Sequence, residues 1–569
     1  MILSLLSRKI TTIHAAALIL GAAGFLSRLL GLFRDRLLAG VFGASRELDV
    51  YYAAFQVPDF VYSILLLGAG SMAILPIFFD ALGKGKEEAE NFISELLRFF
   101  FIVAIFVIGI GMLFAPEIMG RLFVGFSQSE LSSVTFLTRM MFLSPLFLGF
   151  SGIFMSVSQA HHKFIAYSLS SILYNVGIIS GIFIAVPFFG AQGLGIGVVC
   201  GAFLHLAIQL FVYRHLGFRI IAFGNIWSSR IREVLFLSLP RVISLSLSQI
   251  TFAILLGIAS TLSAGSIAVF QFANNLAFLP VGVFAISYAT ALFPRLAEAA
   301  TSHDAEKFWG HIFFGIRMIL FWIVPVSFLL IVLRAHIVRV VLGAGQFDWS
   351  DTRLTAAAVA ILAGALIAES LNGFFVRAFY AVRMTWLPLS VNLFSIVAAI
   401  SSAHFFTRTL QESPHVARIV YSFFRIPDVS GGEILGVALG FAVLSVVNAI
   451  LQGAILFIFI RKWILISGAL IFGKELLRPI GKIIFASAIG AFTARQILQT
   501  FSVFFSLDTF AGVFLQGVFA GIAGIIVWGA LLYSMKSDDF DALLLSLRRK
   551  LFTIDVLPRE WNGERAHQE

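Results

Sequence analysis

Apolar runs of about 20 or more residues, separated by short polar joints, recur along almost the whole chain. A run of that length crosses the hydrocarbon layer as a helix, because a helix satisfies its own backbone hydrogen bonds in lipid. The runs predict spanning helices near 12–40, 49–80, 91–120, 132–160, 163–187, 191–214, 233–260, 264–296, 308–340, 353–381, 384–407, 432–461, 478–501 and 508–535. The fold class is therefore an all-α polytopic membrane protein of about fourteen helices. The opening run flows on through arginines without a small-residue cleavage site, so it reads as a retained first span.

An even helix count puts both termini on one side. Alternate joints carry the basic residues: Arg8 and Lys9, Lys84 and Lys86, His161 to Lys163, Arg214 to Arg232, Arg295 and Lys307, Arg461 to Lys474, and Arg548 to Lys550. The opposite joints include the uncharged "FFGAQGLG" and "STLSAGS", although their segment 408–431 holds arginines. The positive-inside rule then places both termini in the cytoplasm.

The chain also resembles itself. "SGIFMSVSQAHHKFIAYSLSS" (151–171) aligns with "NGFFVRAFYAVRMTWLPLSVN" (372–392), matching Gly152, Phe154 and Ala160 to Gly373, Phe375 and Ala381. "GSMAILPIF" (70–78) aligns with "YATALFPRL" (288–296), matching Ala73 to Ala291 and Pro76 to Pro294. Both pairs lie about 220 residues apart, or six helices, which predicts duplicated six-helix lobes of parallel orientation around a central cavity. The expected organisation is an N-terminal lobe (1–217), a C-terminal lobe (218–463), two further helices (464–536) and a cytoplasmic amphipathic tail (537–569).

Polar residues inside the spans supply the candidate chemistry. On the first helix Gly24, Arg28, Gly31 and Asp35 share a face and Arg34 flanks it, while Arg36 sits near the end and can snorkel. A charge at the bilayer centre costs upward of about 2.5 kcal/mol, so this face is expected to meet water, a counter-ion or a ligand. The second helix lines up Asp49, Tyr52, Gln56, Asp59 and Ser63 and is interrupted by Pro58. The seventh lines up Arg241, Ser244, Ser248 and Thr251, where a hydroxyl stripe equally fits bonding to its own helix, and the eighth carries Gln271, Asn274 and Asn275. In the tenth, Glu369 and Asn372 share a face, with Arg377 beyond; the acid fits either ion coupling or a structural pair with arginine.

Composition narrows the function. The 569 residues are 59% hydrophobic and only 12% charged, against roughly 25% charged in a soluble domain. The net charge of +10 is scattered among joints, which reports topology rather than nucleic-acid binding. The single Cys200 excludes an internal disulfide, and no spacing suits a metal. No nucleotide-binding or hydrolase motif occurs in a fitting context, so a transporter without cofactor, rather than an enzyme, is expected. Coupling to membrane potential, Na+ or H+ stays open. The arginine-bearing stripes suit an anionic headgroup whose tail remains in lipid.

The segments "SRLLGLFRDRLLAGVFGAS", "LDVYYAAFQVPDF", "GSMAILPIF", "SQITFAILLGIASTLSAGSIA" and "LPVGVFAISYATALFPRL" resemble the MurJ (MviN) family of lipid II flippases, within the multidrug/oligosaccharidyl-lipid/polysaccharide exporter superfamily. The resemblance runs over roughly residues 12–535. It implies two six-helix lobes, a last pair of helices forming a groove for the lipid tail, and movement of undecaprenyl-diphosphate-linked peptidoglycan precursor from inner to outer leaflet by alternating access. Arg28 and Arg34 match the family's cavity arginines, and Asp35 and Asp49 its nearby acids. Two matches differ: Tyr62, Ser63 and Leu67 stand where many members carry a basic pair and an acid, and Asn274 and Asn275 replace an Asp-Arg.

On this reading Arg28, Arg34 and Arg241 hold the diphosphate, Gln56, Asn274 and Asn275 contact sugar or peptide, and Asp35, Asp49 and Asp59 complete the site. The expected partners are lipid II and membrane lipids, with no nucleic acid, for a monomer in the bacterial inner membrane. The neutral positions leave open another polyprenyl-linked glycan or a drug as cargo. A third alternative is a membrane scaffold presenting its tail to partners.

Overall fold

The computed structural model describes residues 13–69, 71–221, 224–467, 476–506 and 509–552. Helix occurs in each of the fourteen predicted segments, and no strand occurs, among the described residues. Ten helices there are long and apolar enough to cross a membrane, among them Lys86–Leu122, Ala305–Leu342 and Trp349–Ala381. Their outer faces are apolar and uncovered: Phe106 and Leu113, mid-helix, are 68% and 70% exposed. A soluble monomer does not leave such a surface bare, so these faces meet lipid. The chain divides into two compact units, one of Met1–Leu279, Ile337–Ala368 and Met384–Gln452, the other of Pro280–His336, Glu369–Arg383 and Gly453–Glu569.

The predicted second helix breaks at Phe55, between Arg46–Ala54 and Gln56–Ala69; beyond Gly70, which lies outside the described residues, helix is described over Ser71–Gly83. The break has a direct cause. Pro58 has no N–H to give to the carbonyl of Ala54, four residues back. The Thr138 hydroxyl donates to that carbonyl instead, at 3.3 Å, so the freed acceptor is satisfied from a neighbouring helix.

Small residues and a few amides hold the first unit's helices together, as expected where lipid removes the hydrophobic drive between helices. Phe164–Ser180 and Gln192–His215 approach until backbones touch: a Cβ on Gly201 would lie 2.4 Å from the Tyr174 carbonyl oxygen. Deeper along the same contact Gln209 donates to the Ala166 carbonyl (3.0 Å) and to Ser170 Oγ (3.1 Å), and accepts from Ser158 (2.8 Å).

The sequence repeat reappears as local geometry. His162 and Arg383, 221 positions apart, both turn in the left-handed region at φ 56° and 60°. The amides of His161 and His162 bond to Val157 and Gln159, as those of Val382 and Arg383 bond to Ala378 and Tyr380. At the other aligned pair, 218 positions apart, Gly85 and His303 have positive φ and donate to Leu82 and Ala300.

In the second unit the tail begins as the Asp538–Phe552 helix. Buried Asp539 pairs with Arg317, Phe540 packs edge-on against Trp528, and Lys482 Nζ donates to the Lys536 carbonyl at 2.8 Å. Residues after 552 lie outside the described ones.

The backbone contact at Gly201 generates a stability prediction. Gly201→Leu has no room and should cost about 3 kcal/mol or more, seen as a lower melting temperature in detergent. Gly109, with nothing within 4 Å of a built Cβ, should accept leucine without loss. Equal melting of the two variants would contradict the packing.

Candidate functional site

The polar centre of the first unit is built on the Ile13–Phe42 helix. Asp35, 2% exposed, bridges two partners. Its Oδ1 accepts from Arg34 Nε at 3.0 Å and Nη2 at 2.8 Å, and its Oδ2 accepts from Asn275 Nδ2 at 2.9 Å. Arg34 Nη1 donates to Asn175 Oδ1 at 3.3 Å, and Asn175 Nδ2 donates to the Ser171 carbonyl at 3.2 Å and toward Ser27. Tyr51, Tyr174 and Asp59 are electrostatic neighbours of one another and, for the tyrosines, of Arg34. Four stretches of chain thus bring polar groups into one region, and Asp59 in it is exposed.

The flanking helices leave capacity unused. Arg46–Ala54 and Ser266–Pro280 meet through the edge-on rings of Tyr52 and Phe272, 5.9 Å apart. Around that contact the buried atoms Tyr52 OH, Gln56 Oε1, Gln271 Oε1 and Asn274 Oδ1 have no hydrogen-bond partner among the described residues. Gln56 spends only its amide nitrogen, on the Tyr52 carbonyl at 3.1 Å. An unmade buried hydrogen bond costs about 1–3 kcal/mol, so each of these atoms marks a place for water or a polar ligand.

Other candidates do different work. Asp49, fully buried, accepts from the backbone amides of Gly265 (2.8 Å) and Ala268 (2.9 Å) and so caps the Ser266–Pro280 helix. Arg46 donates to the carbonyls of Ser260 and Leu262 and pairs with Glu130 at 3.3 Å. Arg36 donates to the Val340 carbonyl at 2.7 Å, so it closes a helix end rather than only reaching for headgroups. Arg28 is exposed on the first helix. Arg241 lies on the Ser229–Ser260 helix, and its side chain is outside the described residues. Glu369 and Asn372 belong to the second unit, where Asn372 Nδ2 donates to Glu369 Oε2 at 3.4 Å. Arg377 turns to the Gly373 carbonyl and Thr290.

One end of the first unit is closed by backbone contact. Gln346 N donates to the Gly40 carbonyl at 2.9 Å, and Ala44 N donates to Asp351 Oδ2 at 3.2 Å. Gly265 (φ 85°) and Gly345 (φ 52°) allow the approach, since built Cβ atoms would lie 1.9 Å from the Ala44 carbonyl oxygen and 2.1 Å from that of Gly40.

Residues 38–512 match the family described as "Lipid II flippase MurJ". The chain belongs to the MurJ family of lipid II flippases. A probable lipid II flippase MurJ of Borreliella burgdorferi is 31% identical over 382 residues, covering 66% of this chain and 74% of the relative. The Thermotoga maritima protein of that description is 27% identical over 442 residues, covering 76% and 89%. The fold matches a structure described as lipid II flippase MurJ in an inward closed conformation, with a TM-score of 0.67, 22% identity, and 91% and 99% of the chains covered. It also matches a MATE family transporter of the MOP superfamily at a TM-score of 0.59 and 16% identity, covering 78% and 96%. Membership makes the chain a transmembrane lipid II flippase serving peptidoglycan synthesis, a transporter and not an enzyme.

Three features of this chain's polar centre and its surroundings were not read from sequence: Asn175 as the holder of Arg34, the electrostatic proximity of Tyr51 and Tyr174, and the contact of Ser63 Oγ with Ser246 Oγ at 3.1 Å. The signal for Asn175 was present as a Ser168, Ser171, Asn175 stripe in an apolar run.

Asp49 yields the test of this division of labour. Asp49→Ala leaves two helix-end amides without their acceptor and should lower stability by about 1–3 kcal/mol, read as thermal melting. Asp49→Asn keeps one acceptor and should lose less. Equal melting of Asp49→Ala and the unaltered chain would assign the residue another role.

Proposed function

We propose that the chain carries lipid II from the inner to the outer leaflet by alternating access, with the Arg34, Asp35 and Asn275 centre as its diphosphate site. The observation that carries the reading is the Asp35 bridge, which ties an arginine from residues 1–217 to an amide from residues 218–463. A diphosphate offers oxygens that match the guanidinium fork better than a neighbouring carboxylate does. Arriving there, it competes with Asp35 for Arg34, and Arg28, exposed on the same helix, adds a second cation. The unused atoms of Gln56, Gln271 and Asn274 suit sugar hydroxyls and peptide amides.

The recurrent joints at His162 and Arg383, and at Gly85 and His303, support two six-helix lobes within a fourteen-span architecture, 1–217 and 218–463, followed by helices over 464–536. The charge pattern supports cytoplasmic termini in a bacterial inner membrane, for a monomer. On that orientation the end closed by Gly40, Ala44, Gly265 and Gln346 is extracytoplasmic, and opening it requires releasing Asp49 from the Ser266–Pro280 helix. The half-buried Glu369 is the proposed place for ion coupling, with Asn372 beside it.

One observation favours a variant cargo. Buried Ser63 meets Ser246 where related chains carry charge, so a differently charged polyprenyl-linked glycan fits this wall as a second reading.

The test is replacement of the native flippase in a depleted bacterial host, scoring growth together with outer-leaflet labelling of lipid II. The unaltered chain should restore both; Arg34→Ala and Asp35→Ala should each reduce labelling at least tenfold while the protein still inserts. Full labelling by Arg34→Ala would remove the diphosphate assignment. Failure of the inserted, unaltered chain would favour the second cargo.

A further inference from the structure

A groove of about 350 Å³ runs along the outside of the first unit, separate from the Asp35 centre. Three helices wall it: Leu97 and Phe101 from Lys86–Leu122, Phe150 and Phe154 from Leu143–Ala160, and Leu206 and Leu210 from Gln192–His215. Each pair is spaced by four residues, so each helix turns one apolar stripe into the groove. None of these helices contributes Arg34, Asp35, Asn175 or Asn275. Phe101 is half exposed, and Phe203 and Phe211 beside the wall are bare as well, so the groove opens onto the lipid-facing surface.

The groove ends at two arginines. Arg98 is held by the joint after the Gln192–His215 helix, donating to the carbonyl oxygens of Ile221 and, at 2.9 Å, Asn225; Ile221 N donates to Ser94 Oγ at 2.9 Å. Gly224, at φ 146°, lets this joint pass close, since a Cβ there would lie 3.0 Å from Arg98 Nη2. Arg214 follows Leu206 and Leu210 on their stripe, is exposed, and makes no ion pair or side-chain hydrogen bond among the described residues. Of the neighbouring acids, Glu88 pairs with Arg230 and Glu90 accepts from the Arg219 amide at 3.2 Å, while Glu95 is buried beside Ser94 with its Oε1 unpartnered among the described residues and is not among the groove's lining residues. The result is an apolar trough one chain wide with an uncommitted cation at the point where its helix leaves the apolar layer.

We infer that this groove holds an anionic phospholipid of the surrounding bilayer, one acyl chain lying along Leu97, Phe150 and Leu210 and the phosphate meeting Arg214 beside Arg98. Charge complementarity selects an anionic over a zwitterionic headgroup, as in basic pockets between spanning helices. The occupant is a bilayer phospholipid rather than the transported lipid, because no helix walling the groove carries Arg34, Asp35, Asn175 or Asn275 and the groove opens onto the lipid-facing surface. A lipid seated there splints the helices Lys86–Leu122 and Gln192–His215 where Arg98 meets Ile221 and Asn225.

The test is native mass spectrometry of the full chain released from nanodiscs containing equal phosphatidylglycerol and phosphatidylcholine. The unaltered chain should retain phosphatidylglycerol in preference, and Arg214→Gln should cut that preference about fivefold, the usual worth of one basic residue near an anionic surface. Arg214→Lys should largely keep it. Arg121→Gln, an exposed arginine paired with Glu117, should leave it unchanged. Leu210→Trp, filling the trough, should reduce retention of both lipids. Equal retention by Arg214→Gln and the unaltered chain, or full retention by Leu210→Trp, would overturn the assignment. Displacement of the bound phospholipid by equimolar lipid II would overturn the choice of occupant.

Discussion

A charge cannot be left alone in hydrocarbon, and the first unit is arranged around that cost. Five ionised groups on or beside its early helices are met in one of two ways. Arg36, Arg46 and Asp49 are spent on helix ends, where leftover carbonyls and amides need partners anyway. Arg34 and Asp35 are spent on each other, with Asn175 and Asn275 taking the remaining directions. The first kind of match is permanent, because breaking it orphans backbone as well as side chain. The second is exchangeable on the proposed reading, in which a diphosphate takes the place of the carboxylate. This difference separates scaffold from site in a row of residues that look alike in sequence.

The two kinds of match also connect closure to binding. Asp49 holds the start of the Ser266–Pro280 helix, and that same helix presents Asn274 and Asn275 near its middle. On the proposed reading, a change at its end would move the amide that bridges to Asp35. A rigid helix capped at one end and hydrogen-bonded at its middle is a mechanical link between a closed end and a polar centre, with no need for a longer path through the molecule.

Much of this was legible beforehand because a bilayer permits few solutions. Run length predicts helix, and two short self-alignments predict the recurrent joints at His162 and Arg383. The stripe logic picked out Arg34 and Asp35 on one helix and Asn275 on another. It could not distinguish Asp49 from Asp35, since spacing along one helix does not say what lies across from it. It also missed Asn175, whose importance comes from the first helix packing against Phe164–Ser180, where Gly31 faces the Asn175 amide and Arg34 reaches it. The break at Phe55 was tied to Pro58, but its rescue by Thr138 depends on a neighbour 84 residues away. What escapes the sequence is consistently the partner supplied by another helix.

The central claim is that Arg34 is released from Asp35 by a diphosphate. The most direct measurement is the affinity of the purified chain for lipid II compared with its monophosphate analogue, for the unaltered protein and for Arg34→Gln. The account predicts that the unaltered chain favours the diphosphate by about tenfold or more, as expected for an additional charge-assisted pair, and that Arg34→Gln binds both lipids alike. An unchanged preference in Arg34→Gln would contradict it and would move the diphosphate to other residues.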